Sequence, residues 1–147
     1  MVLPKAIEDI ERMVGYGFVR RELLVQALTH SSYRAEQRRD DAVDNERLEF
    51  LGDAVLDTAI SALLFDACLQ ASEGQLTEMR AQLVNTGQLA KVAATLGVEA
   101  VLLLGRGEEE SGGRRKKSII GSAYEALVGA VFLDGGADAA RSVVLGL

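Results

Sequence analysis

The sequence has little of three residue types that mark special classes of protein. It contains one cysteine, Cys68, one proline, Pro4, and no tryptophan, and aromatic residues make up only 5% of the chain. A lone cysteine cannot form a disulfide within its own chain, which argues against a disulfide-stapled secreted scaffold and fits a reducing compartment. A single proline leaves nearly the whole chain open to helix formation.

The chain also lacks an uncharged apolar run of the length that a membrane-spanning helix needs, about 18 residues or more. Asp57 interrupts the best candidate in the middle of the chain, and Glu125 interrupts the best one near its end. The N-terminal stretch MVLPKAIEDIERM carries charges every few residues and has no apolar segment of the kind found in signal peptides. We therefore expect a cytoplasmic protein with no membrane partner.

An excess of basic side chains is absent as well. Sixteen Lys and Arg face 22 Asp and Glu, which gives a net charge of −6. This is the wrong sign for a protein that holds nucleic acid by bulk charge, so a polyanionic partner would need local basic clusters or metal ions. The length of 147 residues and the hydrophobic fraction of 48% are those of one globular domain, which we expect to cover residues 1–147.

The composition favours helices, because Ala, Leu, Glu and Arg recur and no long alternating stretch typical of a strand is present. We predict an all-α fold, with a buried helix over Ser118–Leu133, which is apolar on nearly every face. Segment Ser31–Asp44 is expected to be a short helix or loop, and Gly105–Gly113 a mobile surface loop. Further helices are predicted over residues 6–14, 21–28, 45 to about 68, 77–96 (ended by Gly97) and 137–145.

Acidic residues follow one face of the helix predicted from Asn45. Glu49 and Asp53 lie four residues apart, about 40° around a helix, and Glu46 and Asp57 fall on the same strip. Like charges at this spacing repel each other, whereas a divalent cation would make the cluster favourable. The alternative is a solvated helix face.

Glu125 is a second unusual carboxylate, because it lies inside the apolar segment IIGSAYEALVGAVF. An ionised carboxylate in such a helix must be paired, bound to metal or protonated. One alternative is a salt bridge to Arg80 or to the basic run Arg114–Lys117. Convergence of Glu49, Asp53 and Glu125 would instead form an all-oxygen site suited to Mg²⁺ or Mn²⁺.

The segment NERLEFLGD at residues 45–53 resembles the signature of the ribonuclease III family, the endonucleases that cut double-stranded RNA. Four further segments resemble family motifs in the same order along the chain: residues 27–33, 73–84, 105–113 and 124–136. The resemblance implies an all-helical endonuclease domain that works as a two-fold homodimer. It also implies cleavage of double-stranded RNA to 5′-phosphate and 3′-hydroxyl ends, in the processing of ribosomal and messenger RNA.

The resemblance also assigns roles to individual residues. Glu49, Asp53 and Glu125 would be the catalytic carboxylates that bind Mg²⁺, with Mn²⁺ as a substitute. Glu46 would be an auxiliary acid, and Phe50 would reach a pocket in the partner of the dimer. The alternative for Phe50 is plain core packing.

Ser122 departs from the family pattern, which usually has Asp three residues before the last Glu. A hydroxyl is a weaker Mg²⁺ ligand than a carboxylate, although it could hold the metal through a water molecule. This position therefore favours a second interpretation, in which the protein is a catalytically silent or impaired RNA-binding relative that keeps the fold and the dimer.

Members of the family commonly continue into a double-stranded-RNA-binding domain, and the sequence ends at Leu147. We therefore expect weak RNA contacts from the basic residues near the site: Arg80, Arg114, Arg115, Lys116 and Lys117. Further basic clusters, at residues 20–21 and 34–39, could equally be solvated surface. We expect structural roles for His30, through hydrogen bonds at a helix end, and for Cys68, as a small buried hydrophobic residue.

Overall fold

Two long helices, α4 (Glu46–Ala67) and α9 (Lys117–Gly135), form the centre of the fold in this computed structural model, which describes residues 2–147. The all-α prediction is confirmed, because the described part of the chain contains no strand and only one isolated β-bridge, between Thr29 and Leu103. The other helices are α1 (Pro4–Val14), α2 (Arg21–Ala27), α3 (Ser31–Glu36), α5 (Glu73–Val84), α6 (Thr86–Thr95), α7 (Val98–Val101), α8 (Arg106–Glu110) and α10 (Ala137–Leu145).

Helix α9 is the core of the protein. Eleven of its 19 residues are buried, and α2, α4, α6 and α10 pack around it. By length and composition alone it is the one helix among residues 2–147 that could cross a membrane, but its apolar faces are covered here by the neighbouring helices. The buried helix predicted over Ser118–Leu133 is therefore confirmed, and it extends by one or two residues at each end.

Two glycines allow α4 and α9 to approach until their backbones touch. A Cβ atom on Gly52 would overlap the main-chain carbonyl oxygen of Glu125, and one on Gly129 would overlap that of Leu48. Glycine is therefore the residue that fits at both positions of the crossing. As a result, the side chains one turn from Gly52 on α4 face those one turn from Gly129 on α9.

The single helix predicted over residues 77–96 is wrong, because the structure has two helices that meet at Asn85. The backbone of Asn85 is extended (φ −68°, ψ 159°), and its side-chain oxygen accepts a hydrogen bond from the Gln88 N–H at 3.0 Å. Asparagine is a strong N-cap, so it ends α5 and starts α6. Helix α5 also begins earlier than predicted, at Glu73, behind a capping box formed by Ser72 and Gln75. Gly97, with φ 73°, lies just after the C-cap of α6, as predicted.

The prediction of a loop over Gly105–Gly113 is also wrong, because this segment contains α8 and leads into a 3₁₀ turn over Gly113–Arg115. Gly105 is buried, and its N–H donates to the hydroxyl of Ser32 on α3 at 2.8 Å. Tertiary contact with α3 thus orders a segment whose composition resembles a loop. The segment from Ser31 to Asp44 forms the short helix α3 followed by a loop, as expected.

The carboxylate of Asp134 ties the loop between α1 and α2 to the end of α9. Its side chain is 1% exposed and accepts hydrogen bonds from the Tyr16 hydroxyl (2.8 Å) and from the N–H groups of Val19 (2.9 Å) and Arg20 (3.0 Å). Burial alone would raise the pKa of Asp134, but these hydrogen bonds and the Arg20 side chain outweigh burial and lower it. In turn, burial and the bond to Asp134 raise the pKa of Tyr16 to about 12.

Candidate active site

The crossing of α4 and α9 places the acids of α4 opposite the polar residues of α9. Glu49, Ser122 and Glu125 are half-buried, and Asp53 is exposed at the rim. The hydroxyl of Ser122 donates a hydrogen bond to Oε1 of Glu49 at 3.0 Å. This hydrogen bond joins α9 to α4 and brings together two of the site residues predicted from the sequence.

Glu125 is the most perturbed acid of the group. Burial, a hydrogen bond to Asp53, and the negative charges of Asp53, Glu49 and Asp57 raise its pKa to about 8. Without a cation nearby, this carboxyl therefore holds its proton at neutral pH. Burial and the neighbouring Asp53 also raise the pKa of Asp57, while the charge of Arg80 opposes this effect.

The alternative that Glu125 pairs with a basic side chain is not realised in residues 2–147, where no ion pair involves it. Arg80 donates instead to the hydroxyl of Ser61 at 2.9 Å. Arg114 bonds the carboxylate of Glu109, and Lys116 bonds that of Glu108 at 2.6 Å. None of these basic side chains therefore forms an ion pair with Glu125 within the described residues.

A small cavity of about 250 Å³ opens beside Glu49 and Ser122. His30 and Asn45 are among its lining residues, and no site role was predicted for either. Asn45 is 3% exposed, and its side chain donates to the carbonyl of Ala27 at 3.1 Å, which fixes the start of α4. Its place at the start of the segment NERLEFLGD, just before the acidic helix, was the available signal. The cavity is lined by His30, Ser31, Asn45, Glu46, Glu49, Ser118, Ile119 and Ser122.

His30 has the structural role that we expected. Its Nδ1 accepts a hydrogen bond from the N–H of Ser32 at 3.1 Å and lies 2.7 Å from the Ser32 hydroxyl, so the ring caps the start of α3. Cys68 is only partly buried, at the C-cap of α4, and packs against the core.

The described residues contain no group of three His, Cys, Asp or Glu side chains that could hold a metal ion as they stand. Glu49 is hydrogen-bonded to Ser122, and the carboxyl of Glu125 is hydrogen-bonded to Asp53. The donor chemistry still fits a hard divalent cation, because all the available ligands are oxygens and one carboxyl is protonated for lack of a positive neighbour. Binding of an ion would require these side chains to turn together.

Phe50 does not pack in the core, so the core-packing alternative is wrong. Its side chain is 82% exposed, whereas Leu48, two residues earlier, is buried. Phe50 borders an open groove of about 630 Å³ whose other lining residues come from α2, α4 and the end of α9: Leu23, Gln26, Glu46, Arg47, Leu48, Leu51 and Leu133.

Comparisons with known proteins identify the family of this chain. A family model described as ribonuclease-III-like matches residues 20–147. The chain is 49% identical over 138 residues to Ribonuclease 3 of Oleidesulfovibrio alaskensis, which covers 94% of this chain and 60% of the relative. It is 48% identical to Ribonuclease 3 of Myxococcus xanthus, covering 94% of this chain and 53% of the relative. The chain therefore belongs to the ribonuclease III-like family.

Solved structures show the same fold. The nuclease domain of ribonuclease III from Campylobacter jejuni superposes with a TM-score of 0.88 at 40% identity, covering 95% of this chain and 94% of that one. That structure is described as flexible in a region involved in dimer formation. Dicer from Pichia stipitis matches with a TM-score of 0.59 at 28% identity, covering 83% of this chain and 50% of that one. The chain thus covers nearly all of that Campylobacter jejuni nuclease domain, but only 53–60% of the two curated relatives named above.

Proposed function

We propose that this chain is the nuclease domain of a divalent-metal-dependent endoribonuclease that hydrolyses double-stranded RNA. The observation that carries the proposal is Glu125, a half-buried carboxyl among the acids of α4 whose pKa is raised to about 8 and which has no cationic partner within residues 2–147. Burial and the neighbouring negative charges oppose the ionisation of Glu125. Acids whose pKa is perturbed in this way cluster at functional sites.

We assign the metal to Glu49, Asp53 and Glu125, with Ser122 contributing through a water molecule and Glu46 as an auxiliary acid. The preferred ion is Mg²⁺, and Mn²⁺ is the substitute. When bound, the ion supplies a Lewis acid that activates water and stabilises the charge developing on the scissile phosphate. The family to which the chain belongs supports this assignment, and it also supports 5′-phosphate and 3′-hydroxyl product ends.

The protein contributes position and charge. The backbone contact at Gly52 and Gly129 fixes the spacing of α4 and α9, the two helices that carry the site acids. Ser122 holds one oxygen of Glu49, so that the other remains available for a ligand. Asp53 is exposed at the rim of the site, so a ligand can reach it from solvent. Rigid helices that carry the ligands keep such a site preorganised.

The RNA contacts of this domain are few. Among the expected basic residues, Arg115 and Lys117 are exposed and have no ion pair with another described residue, whereas Arg114 and Lys116 are paired with acids. Arg80 lies beside Asp57 on the other flank of the acidic strip. With a net charge of −6, we expect weak, salt-dependent binding of the duplex, whose shape and phosphates are its main recognition features.

We further propose that two copies associate around Phe50, and that the protein acts on ribosomal and messenger RNA precursors in the cytoplasm. An aromatic ring that is 82% exposed beside a groove is expensive to leave in water and is typical of an interface anchor. A two-fold arrangement would give each duplex two cleavage sites and therefore staggered cuts.

A second candidate function is a catalytically silent or impaired RNA-binding relative that keeps the fold and the dimer. The observation that favours it is Ser122, which leaves the site one carboxylate short of the family pattern and hydrogen-bonds Glu49 instead.

One experiment separates the two candidates. The purified chain is incubated with a long RNA duplex, with and without Mg²⁺, beside the Glu125→Gln variant. We expect slow, Mg²⁺-dependent cleavage by the chain and none by the variant, provided that both proteins have the same circular dichroism spectrum. Binding of the duplex without cleavage at any concentration of Mg²⁺ or Mn²⁺ would favour the silent relative.

A further inference from the structure

A second concave surface, which the proposed metal site does not use, lies beside the site cavity. It has a volume of about 430 Å³ and is lined by Ser31, Arg34, Ala35, Arg38, Arg39 and Asp40. We call it the arginine pocket. It carries three positive charges and one negative charge, in a chain whose net charge is −6. Its charge is thus opposite in sign to that of the whole molecule.

The arginine pocket adjoins the site cavity, because Ser31 lines both. The site cavity is also lined by Glu49 and Ser122, and the arginine pocket is also lined by its three arginines. A polyanion that reaches the acidic site is therefore next to the arginine pocket as well.

The three arginines are bound by the protein to different degrees. Arg34 is fixed, because its Nε donates to the carbonyl of Ala42 at 2.8 Å and it lies 3.7 Å from the carboxylate of Asp44. Arg39 makes only a long contact of 3.7 Å with exposed Asp41. Arg38 makes no hydrogen bond or ion pair with any other residue in the range 2–147, so its guanidinium is available to a ligand.

The backbone at Arg38 is also unusual. It has φ 50°, and it is the one residue other than glycine with positive φ in the described part of the chain. This conformation is uncommon for a residue with a Cβ atom, and residues held in it are found disproportionately at binding sites. Here it turns the chain sharply after α3 and sets Arg38 and Arg39 around the same concavity as Arg34.

We infer that the arginine pocket binds backbone phosphates of the RNA duplex outside the reacting bond. This inference rests on the proposed function, which supplies the substrate class. Guanidinium groups match phosphate geometry and stay charged at any physiological pH. The pocket supplies the local positive charge that the acidic chain needs to hold a polyanion while the metal neutralises the site acids.

The test compares Arg38→Asn with Arg12→Asn. Asparagine tolerates positive φ better than most residues, so Arg38→Asn removes the charge with little cost to the backbone. Arg12 is an equally charged control: its side chain is 71% exposed, it pairs only with Asp9, and it lies on α1, which lines neither cavity. Both changes are made in the Glu125→Gln background, so that the RNA is not consumed.

Binding of a fluorescein-labelled RNA duplex is measured by anisotropy at several KCl concentrations and constant Mg²⁺. Loss of one phosphate contact should reduce the slope of log affinity against log salt by about one. The loss of affinity between 50 and 200 mM salt should then be roughly fourfold smaller than in the parent protein. For Arg38→Asn we expect this smaller slope together with weaker binding at low salt. Arg38→Lys should restore both the slope and the affinity. Arg12→Asn should behave like the parent protein.

A slope and an affinity for Arg38→Asn equal to those of the control would overturn the inference. Cleavage by the otherwise unchanged chain distinguishes this result from a failure of the proposed function. In the chain that retains Glu125, Arg38→Asn should raise KM and leave kcat unchanged, because Arg38 does not contact the reacting atoms. If the unchanged chain cleaves and Arg38→Asn has the same KM, then only the arginine pocket is refuted.

Discussion

Ser122 determines how strongly the proposed site can hold a cation. Its hydroxyl is neutral and donates to Glu49, so it stabilises the arrangement of the acids without a metal. An aspartate at the same place would add a negative charge that repels Glu49 and further opposes the ionisation of Glu125. Compared with an aspartate, the serine thus stabilises the metal-free site and lowers its affinity for a cation.

For Ser122→Asp we expect cleavage to reach its maximum at a lower Mg²⁺ concentration than in the unchanged protein, because a carboxylate restores both a charge and a direct ligand. We also expect a lower melting temperature without metal and a larger rise on adding Mg²⁺, since a ligand stabilises according to its affinity for the folded state. The measurements are initial cleavage rates and thermal melts across a Mg²⁺ titration. Mn²⁺, which accepts distorted oxygen sites more readily, should partly rescue the serine form.

The control for this prediction is Glu125→Gln, which should abolish cleavage at every metal concentration while the helical spectrum is kept. It replaces a group that is already protonated at neutral pH without a cation, so its cost to stability should be small. Identical metal curves for Ser122→Asp and the unchanged protein would mean that position 122 lies outside the metal site.

Asp134 allows a prediction of how stability depends on pH. Its pKa is lowered in the folded protein, so its contribution is complete above the unfolded value of about 3.9 and is lost as the pH falls through the folded value. At pH 7, Asp134→Asn should cost about 1.5–3 kcal/mol of unfolding free energy, because it weakens hydrogen bonds to a charged acceptor. Urea unfolding should show this difference shrinking as the pH falls below about 4.

The matched control is Asp66→Asn, at an exposed position near the end of α4 where the carboxylate has no hydrogen bond or ion pair to another residue of the described chain. It should change stability by no more than about 0.5 kcal/mol at either pH. If the cost of Asp134→Asn is independent of pH, the carboxylate is not the stabilising form.

At the scale of elements, the contact between α4 and α9 depends on two glycines. Replacing a glycine inside a helix by alanine normally stabilises it by about 0.5–1 kcal/mol. For Gly52→Ala we predict the opposite, a loss of about 2 kcal/mol or more, because the new Cβ meets the backbone of Glu125, which cannot yield as a side chain can. Chemical denaturation of both proteins measures the difference.

Gly74→Ala is the comparison, since Gly74 lies in α5 with open space where a Cβ would be added. It should be neutral or slightly stabilising. A similar effect for both variants would show that the two helices are not in backbone contact.

The same elements show how much the sequence could predict. The buried helix around Glu125 and the acidic strip of α4 were predictable from the sequence. A buried helix is apolar on nearly every face, and the acids of α4 recur at helical spacing. The break at Asn85 was not, since Asn85 is an ordinary polar residue until its extended backbone reveals it as a cap. Helix α8 and the carboxylate of Asp134 depend on partners distant in sequence, Ser32 and Tyr16, which no local pattern identifies.

For the whole molecule we predict a dimer in solution. Sedimentation equilibrium at micromolar concentration should give about twice the 15.7 kDa mass of the chain. Phe50→Ala should weaken association by about 2 kcal/mol or more, as expected for a buried aromatic anchor. Phe65→Ala, at another exposed aromatic residue on α4 (69% exposed), tests whether the effect is specific to the groove beside Phe50. A single species at the monomer mass for the unchanged chain would refute the prediction.

The unequal burial of the helices has a consequence for amide hydrogen exchange. Helix α9 is enclosed by its neighbours, so its central amides should exchange with deuterium only when the entire protein unfolds, and their rates should report the global stability. Helix α5 has no buried residue, and its amides should exchange through local openings that leave α9 protected. Arg80 lies on α5, so one flank of the acidic strip can detach and return many times while the crossing of α4 and α9 stays closed.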